Sequence, residues 1–496
     1  MLKLNNIITL ILLFCCLKCL QAQTHTGLIL DESKYSRVPL TATYTTKSYN
    51  KLPYKVSLKD YCPTAGDQYN TGTCVGWAVA YGARTIIEAM NNNWTTKASL
   101  KKINANTFSP SFIYNAVLAA EGRENDCMLG AHISDALQIM TNKGALKLAD
   151  FPFDANCEVL VEEEHHIKAK KNRILGYHRL SFTQKDNAKV NRVRQSLANN
   201  YPVILGIKIL DNFKNIKHEN HTWNPELGNP NLSNIHAMLV VGYDDLEQRF
   251  ELMNSWGTTW NNEGFIYVSY EDFNKYAKEA YEVLHEVPQA ISDNIVNIAA
   301  HVDFAELAMQ READGDLECT AEQIGLMTVE GKQNYYSMVQ EHYTSYGYQI
   351  YLNPEMQNMS VYLFSIDNTN KIELLYPFSE DFLSLYGQDA DNMVVALTPY
   401  VAGTIAIPHE DYCMQLNTNI GTINCFLFSK KPIEIDALLK KIQNSKGSLQ
   451  ERIDAALGKQ KSNIDNIKFN PHRVSFEGNI ANNEIVPIIV DVNHVK

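Results

Sequence analysis

The chain has 496 residues, 45% hydrophobic and 20% charged, a globular profile long enough for two or three domains with cores of their own. Its net charge of −12 argues against a nucleic acid or an anionic membrane surface as partner, and no basic cluster with interleaved aromatics offsets it.

Residues 1–22 read as a signal peptide, with Lys3 at its start, an apolar stretch from Ile7 to Leu17 and a cleavage site at Leu20-Gln21-Ala22. That apolar stretch is too short to span a bilayer, and no other stretch is long enough. The expectation is an exported protein, periplasmic or extracellular, with no integral membrane span. Export permits disulfides. Of ten cysteines, removal of Cys15, Cys16 and Cys19 leaves seven: Cys62, Cys74, Cys127, Cys157, Cys319, Cys413 and Cys425. The odd count fits one free reactive thiol plus pairs, and Cys413 and Cys425 are expected to face each other across two strands.

Residues 23–57 are polar and rich in Tyr and Thr, and read as a strap across the domain that follows, with a short activation peptide as the alternative. From 58 to 140 the pattern is mainly helical, with helices over Pro110 to Glu121 and His132 to Asn142. Within it, Gly66 to Thr73 is polar and turn-prone, and the run from Cys74 to Met90 is interrupted only by Arg84, Thr85 and Glu88. Such a run reads as a buried helix with Cys74 at its start. There, unpaired N–H groups and the dipole favour a thiolate. From 172 to 285 strands dominate, among them Tyr201 to Ile207 and Phe265 to Val268. His236 heads an apolar strand, and Asn254-Ser255-Trp256-Gly257 follows it. A Cys nucleophile, a His base and an Asn that orients the His form a set that is close in space rather than in sequence.

These three motifs, in this order over Lys55 to Val283, resemble the papain-like cysteine peptidases of a bacterial-style branch. The resemblance implies an α+β fold: a two-lobed catalytic domain over 58–287, helical lobe against β lobe, with the cleft between them. It implies Cys74 as nucleophile, His236 as its ion-pair partner and acid/base, and Asn254 holding the imidazole beneath Trp256. Gln68 would be the oxyanion-hole donor. Gly130, Leu129, Ile235, Trp256 and Trp260 would line the substrate-binding surfaces, and Cys127 would pair with Cys157. Val75 stands where the family has Trp, Thr71 where it has Cys, and Leu129 where it has a wall glycine. The implied activity is endopeptidase cleavage of a peptide or protein through a Cys74 thioester, with no cofactor. Acyl transfer by the same triad, or a repurposed cleft in a binding protein, are the alternatives.

A linker is placed at 288–297. Residues 298–496 read as a mainly β, sandwich-like domain: short strands at regular spacing, a hairpin over Ser360 to Tyr376 and a helical stretch from Pro432 to Leu457. A binding or positioning role, for a protein or cell-surface partner, is its expected function. The runs Glu162 to His166 and His218 to His221 lack the i, i+4 His spacing of a zinc peptidase, so no metal site is expected.

Overall fold

The computed structural model describes residues 26–492 except 181–187, 217–219, 286–294, 312–316, 340–346, 357, 378–395, 399–402, 409–412 and 416–421. The expected signal peptide, most of the expected linker and His218 lie outside the described residues.

The expected buried helix begins at Cys74, running as an α-turn Cys74–Gly76, a π-helical stretch Trp77–Arg84 and an α-helix Thr85–Asn91. Every side chain from Cys74 to Ile87 is buried, so small residues are what let neighbours close in on all sides. The helix Pro110–Ala120 packs beside it, started by Ser109, whose hydroxyl accepts from the Phe112 N–H, and by Pro110 in the first turn. Helix Ile133–Asn142 completes this layer.

Facing the helices is an antiparallel sheet of β1 (Lys55–Ser57), β2 (Gly176–Arg179), β3 (Val203–Leu210), β4 (Ser233–Asp244), β5 (Arg249–Met253), β6 (Phe265–Ser269) and β7 (Ala277–Leu284). Its order is β2-β7-β3-β4-β5-β6, with β1 also paired to β4. Strand β3 is buried almost throughout, as its β-branched content predicts. One hydrophobic core joins the helices to the sheet. The Glu-rich run before His165 is a helix start: Glu162 and His165 cap one another across the first turn.

Cys127 and Cys157 form a disulfide, Cα–Cα 5.4 Å. Closing a loop of 30 residues, it restricts the unfolded chain. Cys127→Ser should lower unfolding free energy by ~3 kcal/mol in denaturant titration, and a loss under ~1 kcal/mol would show that this loop is held by packing instead. The other expected pairing is corrected. Cys425 is a free buried thiol, while Cys413 is disulfide-bonded elsewhere. Cys425 lies on Thr422–Ser429 among Tyr362, Phe364 and Leu427, packed under two helices as an apolar side chain.

Among the described residues, the C-terminal region is a sandwich of two seven-stranded sheets. One is centred on Thr422–Ser429 between Met359–Asp367 and Ile485–Asp491; the other is centred on the long strand Ile295–Arg311. Their inner faces share one core, including Phe304, Ile350, Val361, Phe426 and Phe476. The hairpin Met359–Asp367 to Ile372–Tyr376 is present, its turn closed by the Asp367 carboxylate accepting from the Thr369 and Lys371 N–H groups. The helical stretch is two helices, Ile435–Asn444 and Leu449–Leu457, the second started by a Ser448/Glu451 capping box.

The segment before β1 is a strap over both regions. Leu28 and Val38 enter the core of the first domain, whereas Tyr44, Tyr49 and Leu52 enter that of the sandwich. Thr45 N–H donates to the Thr404 carbonyl, and Thr404 N–H to the Ser48 hydroxyl.

Candidate active site

Backbone pairing between distant segments builds the site. Asp67 bridges Trp256, Gln68 N–H donates to the Ser255 carbonyl, and Gly257 N–H donates to the Gly66 carbonyl. This fastens the loop before Cys74 to the turn after β5. Strand β4 brings His236 to the same place, with the Ala237 N–H acting on the Cys74 thiol.

His236 Nε2 donates to Asn254 Oδ1 at 2.8 Å, and its ring stacks on Trp256 with centroids 5.0 Å apart. An amide oxygen accepts only, so the neutral ring carries its proton on Nε2 and presents a lone pair at Nδ1. Nδ1 has no hydrogen-bond partner among the described residues. Trp260 meets Trp256 edge-on at 5.2 Å, and Phe213 packs on both.

Gln68 is fully buried. Its Nε2 donates to the Thr71 carbonyl at 2.7 Å, and its Oε1 accepts from the Ser255 hydroxyl at 2.6 Å. Ser255 N–H in turn donates to Asn254 Oδ1. Ser255 therefore links Gln68 to the His236–Asn254 pair, a role the sequence reading did not assign although the residue lies between Asn254 and Trp256.

The strap fills the cleft. Gly27 N–H donates to Cys74 Sγ at 3.3 Å, while the Gly27 carbonyl accepts from Ala131 N–H and Ile29 N–H donates back to the Ala131 carbonyl. Leu28 is thus bracketed in a parallel bridge with Ala131. His132 Nδ1 meets the Ile29 carbonyl at 3.0 Å, and Lys34 pairs with Asp135 at 2.6 Å. Gly130 has φ +77°, and a Cβ there would lie 2.2 Å from the Gly27 oxygen, so only glycine fits this wall. Leu129 is 52% exposed, and Ile235 and Trp260 are partly buried.

Under this cover both Cys74 and His236 are fully buried. Burial pushes the Cys74 thiol up to about 11, against the pull of the Ala237, Gly27, Val75 and Cys74 N–H groups. Burial likewise pushes His236 down to about 4, against the Asn254 hydrogen bond. Both shifts favour the uncharged forms, thiol and neutral imidazole, over the expected ion pair while the site is buried. Desolvation outweighs the helix terminus.

Residues 57–284 match the sequence model of the papain family cysteine proteases. An uncharacterized peptidase C1-like protein of Acanthamoeba polyphaga mimivirus is 24% identical over 245 residues, covering 47% of this chain and 71% of that protein. Among solved structures, xylellain, a cysteine protease from Xylella fastidiosa, aligns at TM-score 0.44 and 20% identity, covering 53% of this chain and 97% of that one. Digestive procathepsin L 3 of Tenebrio molitor larval midgut aligns at TM-score 0.39 and 16% identity, covering 53% and 76%. The match to the papain family cysteine proteases thus spans residues 57–284 of this chain.

Proposed function

We propose that the protein is an exported cysteine endopeptidase whose cleft is held shut by its own residues 26–31. The observation that carries this reading is the convergence of Cys74, the His236–Asn254 hydrogen bond and the Gln68–Ser255 bond, with the strap's Gly27 N–H donating to the Cys74 thiol. The strap is a poor substrate in this pose. Its Gly27 N–H, not a carbonyl carbon, faces Sγ, and the Gly27 carbonyl is spent on Ala131. The sandwich supports the closure by burying Tyr44 and Tyr49 of the same strap.

Once the strap leaves, water reaches the site and the desolvation that holds both groups neutral falls away. The Cys74 proton passes to His236 Nδ1, giving thiolate and imidazolium. Sγ attacks the scissile carbonyl carbon, and the oxyanion is met by the Cys74 N–H and the Gln68 amide. His236 returns its proton to the leaving amine, leaving a thioester; water then attacks with Nδ1 as base and regenerates the thiol.

The test is labelling with an irreversible peptidyl epoxide on protein freed of the strap by limited proteolysis, with mapping of the modified residue and assay of peptide cleavage. Modification at Cys74 that is lost in His236→Ala, with cleavage lost alongside, is the expected result. Cleavage that survives Cys74→Ala would overturn the reading.

A further inference from the structure

The buried helix that starts at Cys74 runs on to Asn91, and its far part lines a groove of about 670 Å³. Arg84, where the groove begins, is about three turns along the helix from Cys74, roughly 15 Å. The end of helix Ile133–Asn142, the tight turn Lys170–Asn172 and the chain entering β2 make the other sides. Arg84, Lys170, Lys171 and Arg173 line this groove, and no carboxylate does. In a chain of net charge −12, that concentration of cations is not a reflection of composition.

Lys170, Lys171 and Arg173 are exposed and make no side-chain hydrogen bond or ion pair among the described residues. Exposed cations alone are ordinary surface, but Arg84 is only 6% exposed. Its Nε donates to the Asn172 carbonyl at 3.1 Å and its Nη1 pairs with Glu88 at 3.0 Å, while Nη2 has no partner among the described residues. Glu88 is itself shared, because its other oxygen takes Lys147 at 3.0 Å. One carboxylate thus serves two cations beneath the groove. Burial pushes Lys147 below its usual value, Glu88 pulls it back, and Arg84 and Lys171 push the same way as burial. The Asn91 side-chain oxygen, also in the lining, is buried without a partner. Rotation of that amide presents its N–H groups at the same place. The two helix ends favour cations, but at about half a charge each they offset only one of these.

We propose that this groove is a binding site for a compact organic ester of phosphate or sulfate. Arg84 Nη2 offers a donor from its floor, and Lys170, Lys171 and Arg173 offer theirs from its rim. Donors converging from separate elements match the several acceptor oxygens of a tetrahedral oxyanion. Leu175, 50% exposed, and Ile174 give apolar surface beside them for the organic part. The volume is that of a small-molecule site, about 300–1,000 Å³, rather than of a bare ion. The net charge of −12 repels an extended polyanion, so the ligand is one that the groove itself surrounds.

The groove lies away from Cys74, so its test needs no catalysis and does not depend on the peptidase reading. Calorimetric titration of the full-length chain, at fixed ionic strength, uses glucose 6-phosphate, glucose 6-sulfate and citrate as probes. At least one ester is expected to bind with a Kd of roughly 0.1–1 mM, and citrate about 10-fold or more weakly despite its higher charge. Whichever ester binds more tightly identifies which oxyanion the site takes. The double variant Lys171→Gln, Arg173→Gln changes exposed positions only, and should weaken that ester about 10-fold or more. Lys468→Gln, an exposed lysine of the sandwich, should leave binding unchanged. Three results overturn the proposal: neither ester binds, Lys468→Gln weakens binding as much as the double variant does, or citrate binds as tightly as the esters. The last would make the groove a site for carboxylates, such as those of an acidic peptide.

Discussion

Gly27→Pro should raise the rate of Cys74 alkylation at pH 7 by about 100-fold or more. The native Gly27 N–H donates to Cys74 Sγ, and a Cβ at position 27 would lie 1.7 Å from the Gly72 carbonyl oxygen. Proline removes the donor and cannot occupy the space, so the strap must lift from the cleft. The magnitude follows from ionisation. A thiol held at about 11 is the thiolate in roughly one molecule in ten thousand at pH 7, against a few per cent for an ordinary cysteine. An imidazolium partner would increase the difference further. The sign is fixed by the direction of the shift. Burial raises the Cys74 value, so the intact chain should label faster with rising pH up to about 11, and the variant's profile should move to lower pH. Rates measured with iodoacetamide across pH, beside thermal midpoints that show an intact fold, decide the matter. Equal profiles in the two proteins would mean that the strap does not gate the nucleophile. Gly27→Ala keeps the N–H but not the clearance, and should shift the profile in the same direction.

What could be read from the sequence, and what could not, divides along a physical line. Cys74, His236 and Asn254 each sit in a short motif whose backbone neighbours dictate its local structure: a buried helix start, the head of an apolar strand, a turn after one. Those signals are local, and the structure brings all three residues together. The cover over them is not local. Nothing in Thr26-Gly27-Leu28 marks it as a cleft occupant, because its meaning comes from Ala131 and Cys74, more than 40 residues away in sequence. The burial of Glu279 and Glu282 is not legible for a related reason. In Ala277-Lys278-Glu279-Ala280-Tyr281-Glu282 the charges resemble a solvated edge, yet β7 is an interior strand between β2 and β3 and both glutamates are buried. The expected ion pair shows the same limit: a helix start predicts a low thiol pKa only when solvent or a cation is there to share the charge, and the strap excludes the first. Cys425, expected in a disulfide, became core because the helices Ile435–Asn444 and Leu449–Leu457 fold over its strand.

Gln68→Ala, in the strap-opened chain, should lower kcat by roughly 10²–10³ with KM little changed, the loss of a donor that acts in the transition state. The side chain has a second duty, because Oε1 accepts from Ser255 Oγ and Nε2 donates to the Thr71 carbonyl. Truncation therefore also leaves two buried partners unpaired, a stability cost of about 1–3 kcal/mol each. Gln68→Glu separates the two effects. It keeps an acceptor for Ser255 and nearly the same shape, while replacing the amide donor with a group that repels an oxyanion. A fall in kcat at least as large as that of the alanine variant, with a smaller drop in melting temperature, is the result expected of an oxyanion donor. Ser255→Ala supplies the complementary case: it leaves the Gln68 amide in place but frees its oxygen and the link to Asn254. A fall of about 10-fold is expected, because orientation is loosened rather than the donor removed. If Gln68→Glu turned over peptide at the rate of its parent, the stabilising donor would have to be sought elsewhere, and the Gln68–Ser255 bond would be a structural tie between the two lobes alone.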